Sequence, residues 1–390
     1  MNGSIGAFPA WPRSAASCLA ALLAGCAVVP KTTAPAAPPA RVEQAPVTTP
    51  RDTAPPSGEA RHRIALLVPL SGENEAVGRA MANAALMALI DTEASDLRIT
   101  NYDTAGADGP GGAAAQAVQD GNALILGPLL GENIGPVLAS ARPRDVPVIS
   151  FSNNTELAGS GAYILGIGPD QSVARSIRYA RGQGARTFAA LIPEGEYGAR
   201  AEAAFRDSVA GVGGEIGAVE RYARGNTSIV SAARRVKGRA PDAVYVADGP
   251  EWAARAAREL GSGIQIIGSE LWAGDAEVAA LPTLRGAIFS AVSDTRYRQF
   301  ADSYRARFGE APYRVATLGY DAVLLTLNVG EKWPYDRPFP HRALLDEDGF
   351  LGLDGPLRFA RNGAVRRALE VREVRAGEVA VVDAAPTRFE

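Results

Sequence analysis

The sequence predicts an α/β protein made of two alternating β/α lobes with parallel sheets. Three observations carry this. Short apolar runs alternate with helical periodicity along most of the chain. The alternation runs to about residue 168 and then starts again near 187. Small and polar residues gather just after the apolar runs, where the carboxyl ends of parallel strands form a ligand crevice.

Residues 123–154, ALILGPLLGENIGPVLASARPRDVPVISFSNN, show the unit clearly. The run 123–126 is short enough for a buried strand and ends at Gly127-Pro128. A helix follows with Ile134, Val137 and Leu138 on one face. A second strand, 146–149, opens into the polar loop 150–154.

The rest follows in order. RIALLVPL, 63–70, is a first buried strand and Ser71-Gly72 its turn. An Ala-rich helix spans 73–91, a strand 97–103, and a Gly-rich loop at 106–112 leads into a helix near 113–120. A fifth strand at 162–166 ends at Gly168-Pro169-Asp170. The second series places strands at 187–192, 215–222, 243–247 and 264–268. Helices at 197–209, 229–236 and 252–260 lie between them. A strand at 286–290 and helices at 297–308 and 315–329 come next. Residues 349–383 alternate polar and apolar, with turns at Asn362-Gly363 and Ala376-Gly377. They predict two or three antiparallel strands.

Composition narrows the function. The chain has 390 residues, 47% of them apolar, enough for two domains plus tails. A net charge of −3 with no basic block argues against nucleic acid. Two Cys, Cys18 and Cys26, and two distant His, His62 and His341, leave a Cys/His metal site or a CxxC redox pair without its parts. No G-x-S-x-G elbow, zinc helix motif or P-loop occurs, and no cofactor is called for. Glu194 and Glu196 read as a solvated loop rather than an acid/base pair.

Binding is the stronger reading. Loops expected at strand ends hold Ser71, Leu129, Ser150, Ser152, Asn153 and Asn154 in the first lobe, and Tyr197, Asp248, Glu270 and Trp272 in the second. Hydroxyls and free amides at helix starts suit a carboxylate. Glu270 suits an ammonium, and Tyr197 or Trp272 an apolar side chain. The Ser and Asn residues read equally as helix caps, and Trp272 as core.

At the N-terminus, Arg13 precedes an apolar segment, 15–24, too short for a permanent span. It ends in Leu23-Ala24-Gly25-Cys26, which resembles the lipobox of bacterial lipoproteins. The resemblance implies that Cys26 is acylated after removal of a signal peptide, 1–25. Ala27, where an Asp tends to retain lipoproteins at the inner membrane, favours the outer membrane of a Gram-negative cell. Residues 26–60 then form a Pro/Ala/Thr-rich linker that should stay extended. At about 3 Å per residue it reaches up to about 100 Å.

From IALLVPLSG, ILGPLLG with VPVISFSNN, EGEYG, and FADSYRARFGEAPYRVATLGYDAVLL, residues 61–383 resemble type 1 periplasmic binding proteins of the leucine/isoleucine/valine kind. The resemblance implies two Rossmann-like lobes joined by three crossings. They are expected at 61–168 plus 286–349, and 169–285 plus 350–390. It places Ser152, Asn153 and Asn154 in a carboxylate-binding loop, Tyr197 as the aromatic, and Glu270 as the ammonium partner. Gly131 stands where a carboxylate-binding Ser is common, which argues against a standard α-amino-acid site. The same fold occurs in penicillin-binding protein activators, lipoproteins that contact a bifunctional peptidoglycan synthase. The lipobox, Ala27 and the long linker favour this non-enzymatic role, with the periplasmic domains of the synthase as partner. The alternative is the receptor of an amino-acid ABC transporter.

Overall fold

The computed structural model describes residues 61–390 except 276, 336, 388 and 390. Cys26, the 1–25 signal segment and the 26–60 linker lie outside the described residues.

Strand β1 (His62–Val68) is buried but for Arg63, as expected of a central parallel strand. With β2 (Leu97–Asp103), β3 (Leu124–Leu126), β4 (Val148–Ser150) and β5 (Ala162–Ile164) it forms a parallel sheet in the order β2-β1-β3-β4-β5. Helices α2 (Gly109–Gln119) and α3 (Ile134–Ala141) cover one face, against Ala65, Leu67 and Ile125. The opposite face, with Ile64, Leu66 and Val68, meets α1 (Glu75–Asp91) and a helix from far along the chain, α9 (Thr317–Gly330). The small face of α1 permits a close crossing. A Cβ at Gly319 of α9 would stand 2.5 Å from the Met81 carbonyl, so only glycine fits there.

Helix α4 (Pro169–Gly182) carries the chain into the second lobe. Pro169, read from sequence only as punctuation, is its first residue, where a missing N–H costs nothing. The second sheet contains β6 (Thr187–Pro193), β7 (Glu215–Tyr222), β8 (Ala243–Val246), β9 (Gln265–Ile267) and β10 (Ile288–Ala291), all parallel. Helices α5 (Glu196–Gly211), α6 (Ser228–Lys237) and α7 (Pro250–Leu260) connect them. Helix α8 (Thr295–Phe308) returns to the first lobe, where Phe300 and Tyr304 pack on Ala80 and Ala84 of α1.

The C-terminal region is divided. Strands β11 (Phe350–Gly352), β12 (Gly355–Phe359) and β13 (Val365–Arg367) form a separate antiparallel sheet. Its Leu357, Phe359 and Val365 join the first lobe's core. Strands β14 (Glu370–Arg375) and β15 (Glu378–Asp383) form a hairpin that extends the second sheet to β15-β14-β10-β9-β8-β6-β7. The turns at Asn362-Gly363 and Ala376-Gly377 occur as expected, with φ +87° at Gly363 and +78° at Gly377.

Two boundaries therefore differ from the expected ones. Strand β10, assigned by sequence to the first lobe, belongs to the second sheet. Residues 350–367, assigned to the second lobe, pack on the first. Alternation identifies a strand and its buried face, but not the sheet it joins. Among the described residues the chain crosses between the lobes three times, at about 165–169, 292–295 and 368–370.

Candidate functional site

The crevice lies between loops at the carboxyl ends of the two parallel sheets. On the second lobe it is organised by the turn from β6 into α5. A Cβ at Gly198 would lie 1.7 Å from the Pro193 carbonyl, so the first turn of α5 sits directly on the strand end. Gly198→Ala should cost about 1–3 kcal/mol in a denaturant melt through forced displacement. It should also move the neighbouring Tyr197 and Arg200; an unchanged melt would show that the contact is soft.

The Tyr197 hydroxyl donates to Glu270 Oε1 at 2.9 Å. Glu270 is buried, and its Oε2 has no hydrogen-bond partner among the described residues. Burial pushes its pKa up to about 7, with Asp170 adding to the rise and Tyr197 and Arg200 opposing it. Burial likewise holds the Tyr197 phenol well above its ordinary value. The pair presents one free carboxylate oxygen in a dry setting, able to accept from an ammonium, an amide or a hydroxyl.

The first lobe brings Gly131, Ser152, Asn153 and Asn154 together. A Cβ at Gly131 would approach Ser152 Oγ to 3.0 Å, so the glycine leaves room for that hydroxyl. Ser152 Oγ accepts from Asn154 N at 3.1 Å, and Asn154 Oδ1 from Glu156 N at 3.1 Å, the local capping pattern. Across the crevice, Arg200 donates to Asn153 O at 2.8 Å and to Asn153 Oδ1 at 3.1 Å. Asn154 Nδ2 donates to Glu196 Oε1 at 3.1 Å. The loop after β4 is thus tied directly to the first turn of α5.

Other candidates are engaged within their own lobes. Ser71 donates to Asp103 at 2.6 Å, and Asp103 also accepts from Leu70 N and Ala105 N. Burial opposes ionisation of Asp103, but these hydrogen bonds outweigh it and lower its pKa. Ser150 is fully buried and donates to Pro128 O at 2.8 Å. Leu129 packs on the first lobe's core. Asp248 accepts from Tyr222 at 2.6 Å and from Arg224 at 2.8 and 3.0 Å. Trp272 is core: it is 1% exposed, packs on Gly268 and Phe289, and donates to Asp248 O at 2.9 Å. The alternative of Trp272 as an apolar cover does not hold in this arrangement.

Arg200 was absent from the sequence candidates, and Glu196 was read there as part of a solvated loop. One signal for Arg200 was available. A cation near a helix N-terminus opposes the macrodipole, and it lies three residues after Tyr197 on the same face.

Two α/β lobes, three crossings and a crevice at the strand ends define a bilobal binding protein. The periplasmic binding protein family matches residues 62–378, and the chain belongs to that family. Its fold is that of type 1 members. A putative branched-chain amino acid ABC transporter protein from Rhodospirillum rubrum superposes with TM-score 0.73 at 23% identity, over 83% of this chain and 100% of that one. LivJ from Streptococcus pneumoniae, in complex with isoleucine, gives 0.63 at 21%, over 84% and 100%. A Rhodopseudomonas palustris solute-binding protein in complex with 3,4-dihydroxybenzoic acid gives 0.67 at 20%, over 85% and 98%.

Among curated proteins, uncharacterized protein RP748 of Rickettsia prowazekii is 31% identical over 134 residues, 34% of this chain and 36% of that protein. Penicillin-binding protein activator LpoA of Klebsiella pneumoniae is 34% identical over 100 residues, 26% of this chain and 14% of that protein. The matches thus span about a third and about a seventh of these two relatives.

Proposed function

We propose that this protein is a non-enzymatic envelope lipoprotein that acts by protein contact, activating a bifunctional peptidoglycan synthase through the synthase's periplasmic domains. The observation that carries the reading is the direct joining of the lobes: Arg200 to Asn153 and Glu196 to Asn154. These bonds hold the crevice with the protein's own side chains. Ser71, Ser150 and Asp248 are likewise spent internally. The partial likeness to an activator agrees with this, as do the lipobox at Cys26, Ala27 and the linker, which suit an outer-membrane anchor and reach. Purified protein is expected to retain the synthase's periplasmic domains in a pull-down and to raise its rate of glycan polymerisation. No complex at micromolar concentrations would overturn the reading.

A second reading, the solute receptor of an amino-acid ABC transporter, draws support from the free Glu270 Oε2 beside Tyr197. It requires a small amino-acid-like ligand that displaces the Arg200 contacts. A native-state ligand adds RT ln(1 + [L]/Kd) of stability, so a thermal-shift screen of amino acids separates the two. Glu270→Ala should leave synthase activation intact under the first reading and abolish ammonium-ligand binding under the second.

Arg200→Ala tests the joining itself. Two charge-assisted hydrogen bonds are lost, worth on the order of 1.5–3 kcal/mol each. The lobes should part, raising the radius of gyration in small-angle scattering. An unchanged scattering curve would show that the hinge alone sets the lobe angle.

A further inference from the structure

A groove of about 850 Å³ runs along helix α4, and its Asp170 end, with Thr155 and Glu156, adjoins the rim of the crevice. Helix α4 forms one wall, the β12–β13 hairpin another, and Asp383, Ala384, Pro386 and Phe389 a third. Its floor is small and apolar, with Ala174, Ala360, Val365 and Leu369, and its rim carries guanidinium groups. Their availability differs. Arg175 spends its donors on Leu369 O at 3.1 Å, Ala384 O at 3.2 Å and Asp383 at 2.9 Å. Arg358 lies over the Phe389 ring at 4.9 Å. Arg178 and Arg366 are exposed, and their side chains have no hydrogen bond or ion pair among the described residues.

Arg178 belongs to α4 of the second lobe. Arg366 belongs to β13, which packs on the first. An anion between them would therefore contact both lobes. The backbone offers little, because Gln171 already bonds Val365 O at 2.9 Å and Arg367 N at 2.7 Å. Recognition must rest on side-chain charge over an apolar floor. The groove is also polar along its length. Asp170, eight residues before Arg178 on α4, lies about 12 Å away along the helix, with Glu156 beside that end. A single small anion would be held only by exposed charges, a weak arrangement. An extended segment spreads its contacts along the floor and places carboxylates at the arginine end.

We propose that this groove is a docking site for an extended acidic segment of a protein partner, its carboxylates bridging Arg178 and Arg366. Arg178 and Arg366 are not among the crevice residues described above, and the inference holds whichever protein supplies the segment.

The test uses the whole protein and a short fluorescent peptide alternating Glu and Ala, read by anisotropy at low salt. The R178A/R366A pair should weaken binding by about tenfold or more. The R234A/R235A pair, which removes the same charge from α6, should leave it within about twofold. R178Q/R366Q repeats the contrast should the alanine pair fail to fold. Equal weakening by both pairs would reduce the effect to general electrostatics and overturn the proposal. So would no wild-type binding up to about millimolar peptide. Displacement by citrate at the same concentration as unlabelled peptide would reassign the groove to small anions and also overturn it. No synthase is present, so this outcome and that of the polymerisation assay are read separately.

Discussion

Glu270→Gln is expected to stabilise the protein at pH 8 and to have little effect near pH 4. In the fold the Glu270 pKa is about 7, raised from 4.5 chiefly by burial. A raised carboxyl pKa means that the folded state holds the proton more tightly than the unfolded one. The stability so gained is fully present below about pH 4.5 and is lost as pH rises through about 7. A shift of this size corresponds to roughly 3 kcal/mol at the alkaline end. Gln keeps the shape and carries no charge, so it removes the penalty. Urea melts of both proteins between pH 4 and 8 check this. Parallel stability curves would mean that Glu270 is solvated in solution.

Arg367→Met should be among the most destabilising single changes at the hinge, by about 3–5 kcal/mol near pH 8. Arg367 is almost fully buried and donates to Asp321 Oδ2 at 3.1 Å and to Leu165 O at 3.3 Å. It thus ties the third crossing to the first. Its removal strands Asp321, which also accepts from Leu353 N at 2.5 Å and lies against Gly352. Burial, and next the Asp354 charge, already push the Asp321 pKa up to about 6. Without the guanidinium it should rise further, so the loss should shrink toward pH 5, where the carboxyl takes up a proton. Adding Asp321→Asn should recover part of the loss by removing the stranded charge. A single-variant cost below about 1 kcal/mol at every pH would place Arg367 in water instead.

Much of the architecture was legible in the chain. Runs such as ALIL and RIALLVPL are short and apolar enough for buried parallel strands, and the restart of alternation near residue 187 announced a second lobe. The loops at the strand ends were legible for the same reason, since the crevice position follows from parallel topology. Within those loops the roles were not. Ser71 and Asp103 are 32 residues apart, Asp248 and Arg224 are 24 apart, and their pairing settles which polar groups are already spent. No periodicity reports such a contact. Trp272 illustrates the same limit, because an aromatic after a strand reads equally as lid or core until its neighbours are known.

The amino-acid sequence by itself determined the class: an α/β chain of two lobes with a crevice at the strand ends, written in patterns that act over a few residues. Tertiary structure alone decided how the lobes are joined. The sheet that receives β10, the bond from Arg200 to Asn153, and the buried Asp321–Arg367 pair depend on groups brought together from distant parts of the chain. Burial then sets their strength, because removing water makes each remaining charge and hydrogen bond count for more than its residue type foretells.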